Sequence, residues 1–185
     1  DQFAEFWAGL DDRGALDDAL VVFWTDHGEQ FMERGQIEHA LNLFAEENRA
    51  TAAFWARNLE PYVHTDLTVH QDVGATVADV YGLTPTFPIE GLPVGTAPAD
   101  RAVRHFAYFA GTTPQLGVTK GERTLLYNWD GGKFFFHNDT DPAQLENVYD
   151  SADPEVIDLW GAMAPYVEGM YGEWGHFGPP TSPEP

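Results

Sequence analysis

Five consecutive apolar residues, Leu20, Val21, Val22, Phe23 and Trp24, run through Thr25 into Asp26, His27, Gly28 and Glu29, and no other stretch constrains the fold as strongly. An uninterrupted run rich in β-branched and aromatic side chains predicts a strand buried on both faces, as at the centre of a parallel sheet. Helices cover such sheets, and ligands collect beyond the carboxyl ends of the strands. Asp26 and His27 fall at that end. A carboxylate beside a neutral imidazole suits zinc or manganese, and Gly28 lets the backbone turn close to a bound ion. The residues alone leave a second reading open, in which Asp26 caps a turn and His27 is an exposed side chain.

Gly35 and His39 follow, and an acidic pair, Glu46 and Glu47, lies beyond them. Taken in this order, the stretch resembles the second half of the sulfatase-like branch of the alkaline phosphatase superfamily, which includes arylsulfatases, phosphoethanolamine transferases and lipoteichoic acid synthases. Three later stretches are similar to the same family. Asp72 and Thr76 stand in an Asp-x-x-x-Thr pattern whose helix closes on Gly82, and Gly91-Leu92 occupies the place of a Gly-x-Ser-Leu turn. Asp141, Pro142, Gln144 and Asn147 resemble an Asp-Pro-x-Glu-x-x-Asn segment, with Gln144 where Glu is usual. The similarity runs from about Gly14 to Asp150.

The resemblance implies an α/β fold: the C-terminal part of an alkaline-phosphatase-like sandwich, with a small antiparallel sheet and a terminal helix. It implies residues 1–98 as part of the catalytic domain and residues 99–174 as the sheet-and-helix subdomain, while the Pro-rich composition of residues 175–185 reads as a mobile tail. It also implies Asp26 and His27 as ligands of a divalent metal (Ca, Mn, Zn or Mg). His39 is implied as the catalytic residue that touches the substrate or a further metal. The family's nucleophile, a Thr, Ser or modified Cys, and its early acidic ligands lie upstream of these motifs. No Cys-x-Pro-x-Arg sequence occurs here.

The expected activity is therefore that of part of a metal-dependent hydrolase or transferase of sulfate or phosphate esters, inactive without its N-terminal half. Its expected partners are that half and the ester substrate, with a membrane anchor possible upstream and a periplasmic or extracellular location. The competing expectation is a non-catalytic periplasmic domain of the same fold that binds a lipid or a protein. A third reading, an acidic structural domain, leaves the order of the motifs to coincidence.

Composition narrows the choice. Thirty acidic residues against nine basic ones give a formal charge of −21, spread along the chain, which repels phosphate backbones and argues against nucleic-acid binding. There is no cysteine, so disulfide and thiol chemistry are excluded. No signal peptide or 18-residue apolar run is present, and a start at Asp1 inside a helical pattern suggests a processed or truncated product.

Local patterns complete the expectation. Phe3, Phe6, Trp7 and Leu10 have helical spacing, and Asp17-Asp18 read as a solvated turn. Ile37, Leu41 and Phe44 suggest a short helix or ordered loop carrying His39, and residues 51–56 read as a second buried strand that lacks the family's Val-Pro. A helix is expected over residues 71–81, its start fixed by Asp72. His64, Asp66 and His70 stand at a loop and helix start and are left outside the site. Strands are expected over residues 103–109, 115–119, 124–129 and 133–137, with Asp130-Gly131 as a hairpin turn. Val156, Leu159, Trp160 and Met163 form a helix closing over that sheet.

Overall fold

The computed structural model describes residues 1–40, 42–108 and 113–174. Leu41, Phe109 and the expected tail at 175–185 lie outside the described residues. The most deeply packed part is a four-stranded antiparallel meander: β5 (Ala102–Ala107), β6 (Gln115–Lys120), β7 (Arg123–Asn128) and β8 (Lys133–His137), in that order. Alternation along the strands gives it two apolar faces. Leu116, Val118, Leu125, Tyr127 and Phe135 face the terminal helix (Pro154–Trp174) and pack on its Val156, Leu159, Trp160, Met163 and Val167.

The opposite face carries Leu126 and Phe136, which pack on Leu43 and Phe44 from the N-terminal part of the chain. Gly117 makes that approach possible. A Cβ there would sit 2.8 Å from Leu126 Cδ2 and 3.4 Å from Leu43 Cδ1. Gln115, on the same strand, accepts a hydrogen bond from the Leu43 N–H. The expected sheet-and-helix plan of the C-terminal part is thus present.

Upstream, the element order is α1 (Gln2–Asp11), β1 (Val21–Trp24), β2 (Gln30–Phe31), β3 (Ile37–Glu38), α2 (Ala45–Asn48), β4 (Ala52–Trp55) and α3 (His70–Val80); the terminal helix is α4. Here the strand expectation is corrected. Among the described residues β1 pairs antiparallel with β4 alone, Val21 opposite Trp55, and is not the centre of a parallel sheet. Phe23 is 62% and Trp24 51% exposed, and Ala52 and Ala53 of β4 are exposed as well, so neither strand is buried on both faces. A doubly covered strand needs neighbours on both edges and helices on both sides, and the described residues supply one neighbour.

Of the short helix or ordered loop expected around His39, the structure has the second. β2 and β3 form a tight hairpin, Gln30 opposite Glu38, closed by Met32 N–H to the Gln36 carbonyl at 2.8 Å. Ile37 is 62% exposed, so its spacing to Phe44 marks no helix face. Glu38 (φ 132°) and Ala40 (φ 64°) flank His39 with left-handed backbone that a helix excludes. Only α2, a single turn, follows.

α3 forms as expected, and the Asp-x-x-x-Thr pattern has a structural cause. Asp72, 2% exposed, accepts from the N–H groups of Val69 (3.0 Å) and Leu92 (2.8 Å) and from both terminal nitrogens of Arg101 (2.6 and 2.9 Å). One turn on, Thr76 Oγ1 accepts from Val94 N–H at 2.9 Å. The two side chains therefore tie residues 91–101 down along the helix. Gly91 lies so close that a Cβ would stand 2.1 Å from the Gln71 carbonyl oxygen, which excludes any larger residue.

Candidate active site

The end of β1 is held by β4: Thr25 N–H donates to the Thr51 carbonyl at 2.9 Å, and Thr51 N–H to Thr25 Oγ1 at 3.0 Å. The chain then turns, with Asp26 Oδ1 accepting from the His27 N–H at 3.1 Å. Gly28 is required by contact. Its N–H donates to the Glu47 carbonyl at 2.8 Å, and a Cβ would stand 2.1 Å from the Glu46 carbonyl oxygen. Backbone from α2 is thus pressed against the turn that presents Asp26 and His27.

His39 reaches the same place by another route. The hairpin register sets Gln30 against Glu38, so Glu29 and His39 are the next residues out on the two arms. Glu29 Oε2 lies 3.0 Å from His39 Nδ1, and the His39 ring stacks on His27 at 4.2 Å between centroids, tilted by 32°. The sequence-predicted trio, Asp26, His27 and His39, is therefore brought together.

The acidic pair behind it is structural. Glu46 binds Arg34, and Glu47, 3% exposed, accepts from the buried Gln30 amide and from Asn42 N–H at 3.2 Å. Arg34 also donates to the carbonyls of Ala143 (3.1 Å) and Gln144 (2.9 Å), while its guanidinium lies 3.7 Å above the Phe44 ring. In this way the hairpin is fastened to the Asp141–Asn147 segment. That segment in turn is pinned to β8, because Asn147 Oδ1 accepts from Phe135 N–H at 3.0 Å and its amide donates to the Lys133 carbonyl at 3.1 Å.

The donor chemistry can be tested against a divalent ion. Asp26 Oδ2 and His27 Nε2 are 3.5 Å apart. Two ligands bonded at about 2.1 Å to a tetrahedral ion stand about 3.4 Å apart, so the pair fits two positions on one ion. His27 Nδ1 lies 2.7 Å from the Gly28 carbonyl oxygen. Since a carbonyl only accepts, Nδ1 carries the proton and Nε2 is left with the lone pair that a metal needs. Among the described residues no group of three or more His, Cys, Asp or Glu could hold a metal, and Asp26 and His27 offer two donors.

An open cleft of about 2260 Å³ runs from this corner towards the meander, and five of the seven histidines line it: His27, His39, His64, His70 and His105. His64 and His70 have partners other than the trio. His64 Nε2 is 3.7 Å from Asp66 Oδ2, and His70 Nε2 is 3.1 Å from the Thr25 carbonyl oxygen, where the ring donates to the end of β1. Burial pushes His105 down to about 4, so it is neutral at pH 7, with Nε2 3.0 Å from Thr119 Oγ1. Arg49 lines the same cleft.

No family model matches the chain. It is 26% identical to choline-sulfatase from Rhizobium meliloti (strain 1021) over 141 residues, which is 72% of this chain and 27% of that enzyme. Solved structures resemble it over more of its length. BT4656, determined in complex with its substrate D-glucosamine-2-N,6-O-disulfate, matches with a TM-score of 0.71 at 16% identity, covering 97% of this chain and 39% of that one. The phosphonate monoester hydrolase of Agrobacterium radiobacter matches with a TM-score of 0.66 at 16% identity, over 93% of this chain and 38% of that one. The chain has a sulfatase-like fold. PsFucS1 sulfatase from Pseudoalteromonas sp. agrees, with a TM-score of 0.66 at 14% identity over 90% of this chain and 40% of that one. This sulfatase-like chain thus spans about two fifths of these structural relatives and about a quarter of the curated one.

Glu29 closes the Asp-His-Gly-Glu motif, and the sequence alone assigns it no role. The signal that could have found it is the hairpin itself: with β2 and β3 recognised, Glu29 falls across from His39.

Proposed function

We propose that this chain is the C-terminal portion of a metal-dependent, sulfatase-like hydrolase or transferase of sulfate or phosphate esters, working outside the cytoplasm. One observation carries the reading: Asp26, His27 and His39 come from two separate turns, yet meet at one end of the cleft, the two rings 4.2 Å apart. A divalent ion held there would neutralise ester oxygens and activate a nucleophile. Asp26 and His27 would supply an oxygen and a nitrogen donor to it. His39 would face the ester group and steady its negative charge, a role consistent with the strained backbone on either side of it.

Two donors are too few for a tight site, so the remaining ligands and the nucleophile belong to an N-terminal half. The exposed Phe23 and Trp24 on β1 support that arrangement, as apolar surface that a further layer would cover. In the proposed division, residues 1–98 present the site and residues 99–174 buttress it.

The test is co-expression of this chain with the segment encoded upstream of it, followed by assay of aryl sulfate and aryl phosphate hydrolysis with added Mn²⁺, Zn²⁺, Ca²⁺ or Mg²⁺. Turnover by the pair, none by this chain alone, and loss in His39→Ala is the expected pattern. Turnover that survives His39→Ala and the double change Asp26→Ala/His27→Ala would overturn it.

A further inference from the structure

We propose that Glu29 is the positioning residue that fixes His39 for its work in the cleft, an inference that rests on the function proposed above. An ionised carboxylate has acceptors only, so in the 3.0 Å contact between Glu29 Oε2 and His39 Nδ1 the proton sits on Nδ1. The neutral imidazole is thereby held in its Nδ1–H form, and Nε2 is the nitrogen left for the cleft. His27 is held the same way by the Gly28 carbonyl, so two stacked rings both present Nε2.

Three further observations bear on the choice of Glu29. Its other oxygen, Oε1, is buried and without a hydrogen-bond partner among the described residues. An oxygen sealed from solvent is not placed to take an ion from the cleft, which argues against Glu29 as a third ligand. A carboxylate with one satisfied oxygen also depends heavily on the single N–H it has. Finally, Glu38 and Ala40 hold positive φ on either side of His39. The imidazole is thus restrained by its backbone, by the ring of His27 and by the Glu29 carboxylate, an arrangement that leaves little rotational freedom.

The experiment is long-range ¹H–¹⁵N NMR of the histidine side chains in this chain without added metal, on the wild type, Glu29→Ala and Glu29→Gln. The wild type is expected to show His39 as the Nδ1–H tautomer. Glu29→Ala is expected to shift it to the Nε2–H tautomer that free imidazole favours, while Glu29→Gln, whose amide oxygen still accepts, retains Nδ1–H. Backbone amide spectra report whether each variant is folded, and the wild-type tautomer needs no variant at all. An Nε2–H tautomer in the wild type, or no change in folded Glu29→Ala, overturns the proposal. In the co-expressed enzyme Glu29→Ala should lower kcat about tenfold to a hundredfold, the range for partners that orient an active-site residue. An inactive pair with the expected tautomers would count against the ester-hydrolase reading and leave the positioning role standing.

Discussion

Replacing Asp72 tests the packing logic most sharply, because one carboxylate serves three structural tasks. It caps the start of α3 through Val69 N–H, holds Leu92 N–H of the connection that follows, and pairs with both nitrogens of Arg101. Burial pushes its pKa up, but the Arg101 guanidinium and the Leu92 and Val69 N–H groups outweigh that and hold it below the usual carboxylate value of 3.8. Removing one partner of a buried pair costs about 3–5 kcal/mol. The Arg101 side chain keeps 14% of its exposure, so Asp72→Ala belongs at the lower end, about 3 kcal/mol. For a chain of this size that is a fall in Tm of about 6–12 °C. Asp72→Asn keeps an acceptor oxygen and loses the charge, and should fall by about half as much. Circular dichroism melts at pH 7 measure both. In acid the wild type should lose the same contribution: the folded pKa is depressed, so the stabilisation is present above the usual carboxylate value and disappears as pH falls through the lowered one. A Tm for Asp72→Ala within 2 °C of wild type, roughly the scatter of surface changes, would refute the reasoning.

Three further outcomes are expected. Gly28→Ala should destabilise by about 1–3 kcal/mol, since its Cβ would stand 2.1 Å from the Glu46 carbonyl oxygen; thermal melts read this, and an unchanged Tm contradicts the close approach. His105 has its pKa lowered by burial to about 4, so the unfolded chain binds a proton that the folded one does not, and stability should fall as pH drops from about 6.5 towards 4. His105→Gln should remove that part of the slope in denaturant titrations at several pH values. Calorimetric titration of this chain alone with Zn²⁺ or Mn²⁺ should give weak binding that Asp26→Ala/His27→Ala abolishes, and tight stoichiometric binding would mean that the chain holds a complete site.

Legibility in the sequence followed the range of the forces involved. The meander and α4 were readable because their alternation and helical spacing are local, and each apolar face finds its cover within residues 43–167. The helix at 70–80 was readable for the same reason, and Asp72 was rightly given its start. β1 misled because an apolar run reports burial that other chain segments must provide. Phe23 and Trp24 carry the composition of a central strand and stand exposed beside a single antiparallel neighbour. For the His39 segment the sequence left helix and ordered loop open: Ile37 and Phe44 have helical spacing, yet positive φ at Glu38 and Ala40 decides for the loop, and neither residue type announces it. Of the candidate site, Asp26 and His27 were adjacent in sequence and their meeting was assured. That His39 stacks on His27 depended on a hairpin of two residue pairs, which no periodicity could reveal.

The central claim is that Asp26 and His27 are this chain's share of a metal site at which an ester is cleaved. The most direct measurement is the metal content of the co-expressed enzyme by plasma mass spectrometry, taken beside its esterase activity, for the wild type and for Asp26→Ala/His27→Ala. The account predicts a bound divalent ion in the active wild type and its loss, with activity, in the folded double variant. Full metal content and full turnover in that variant would contradict it.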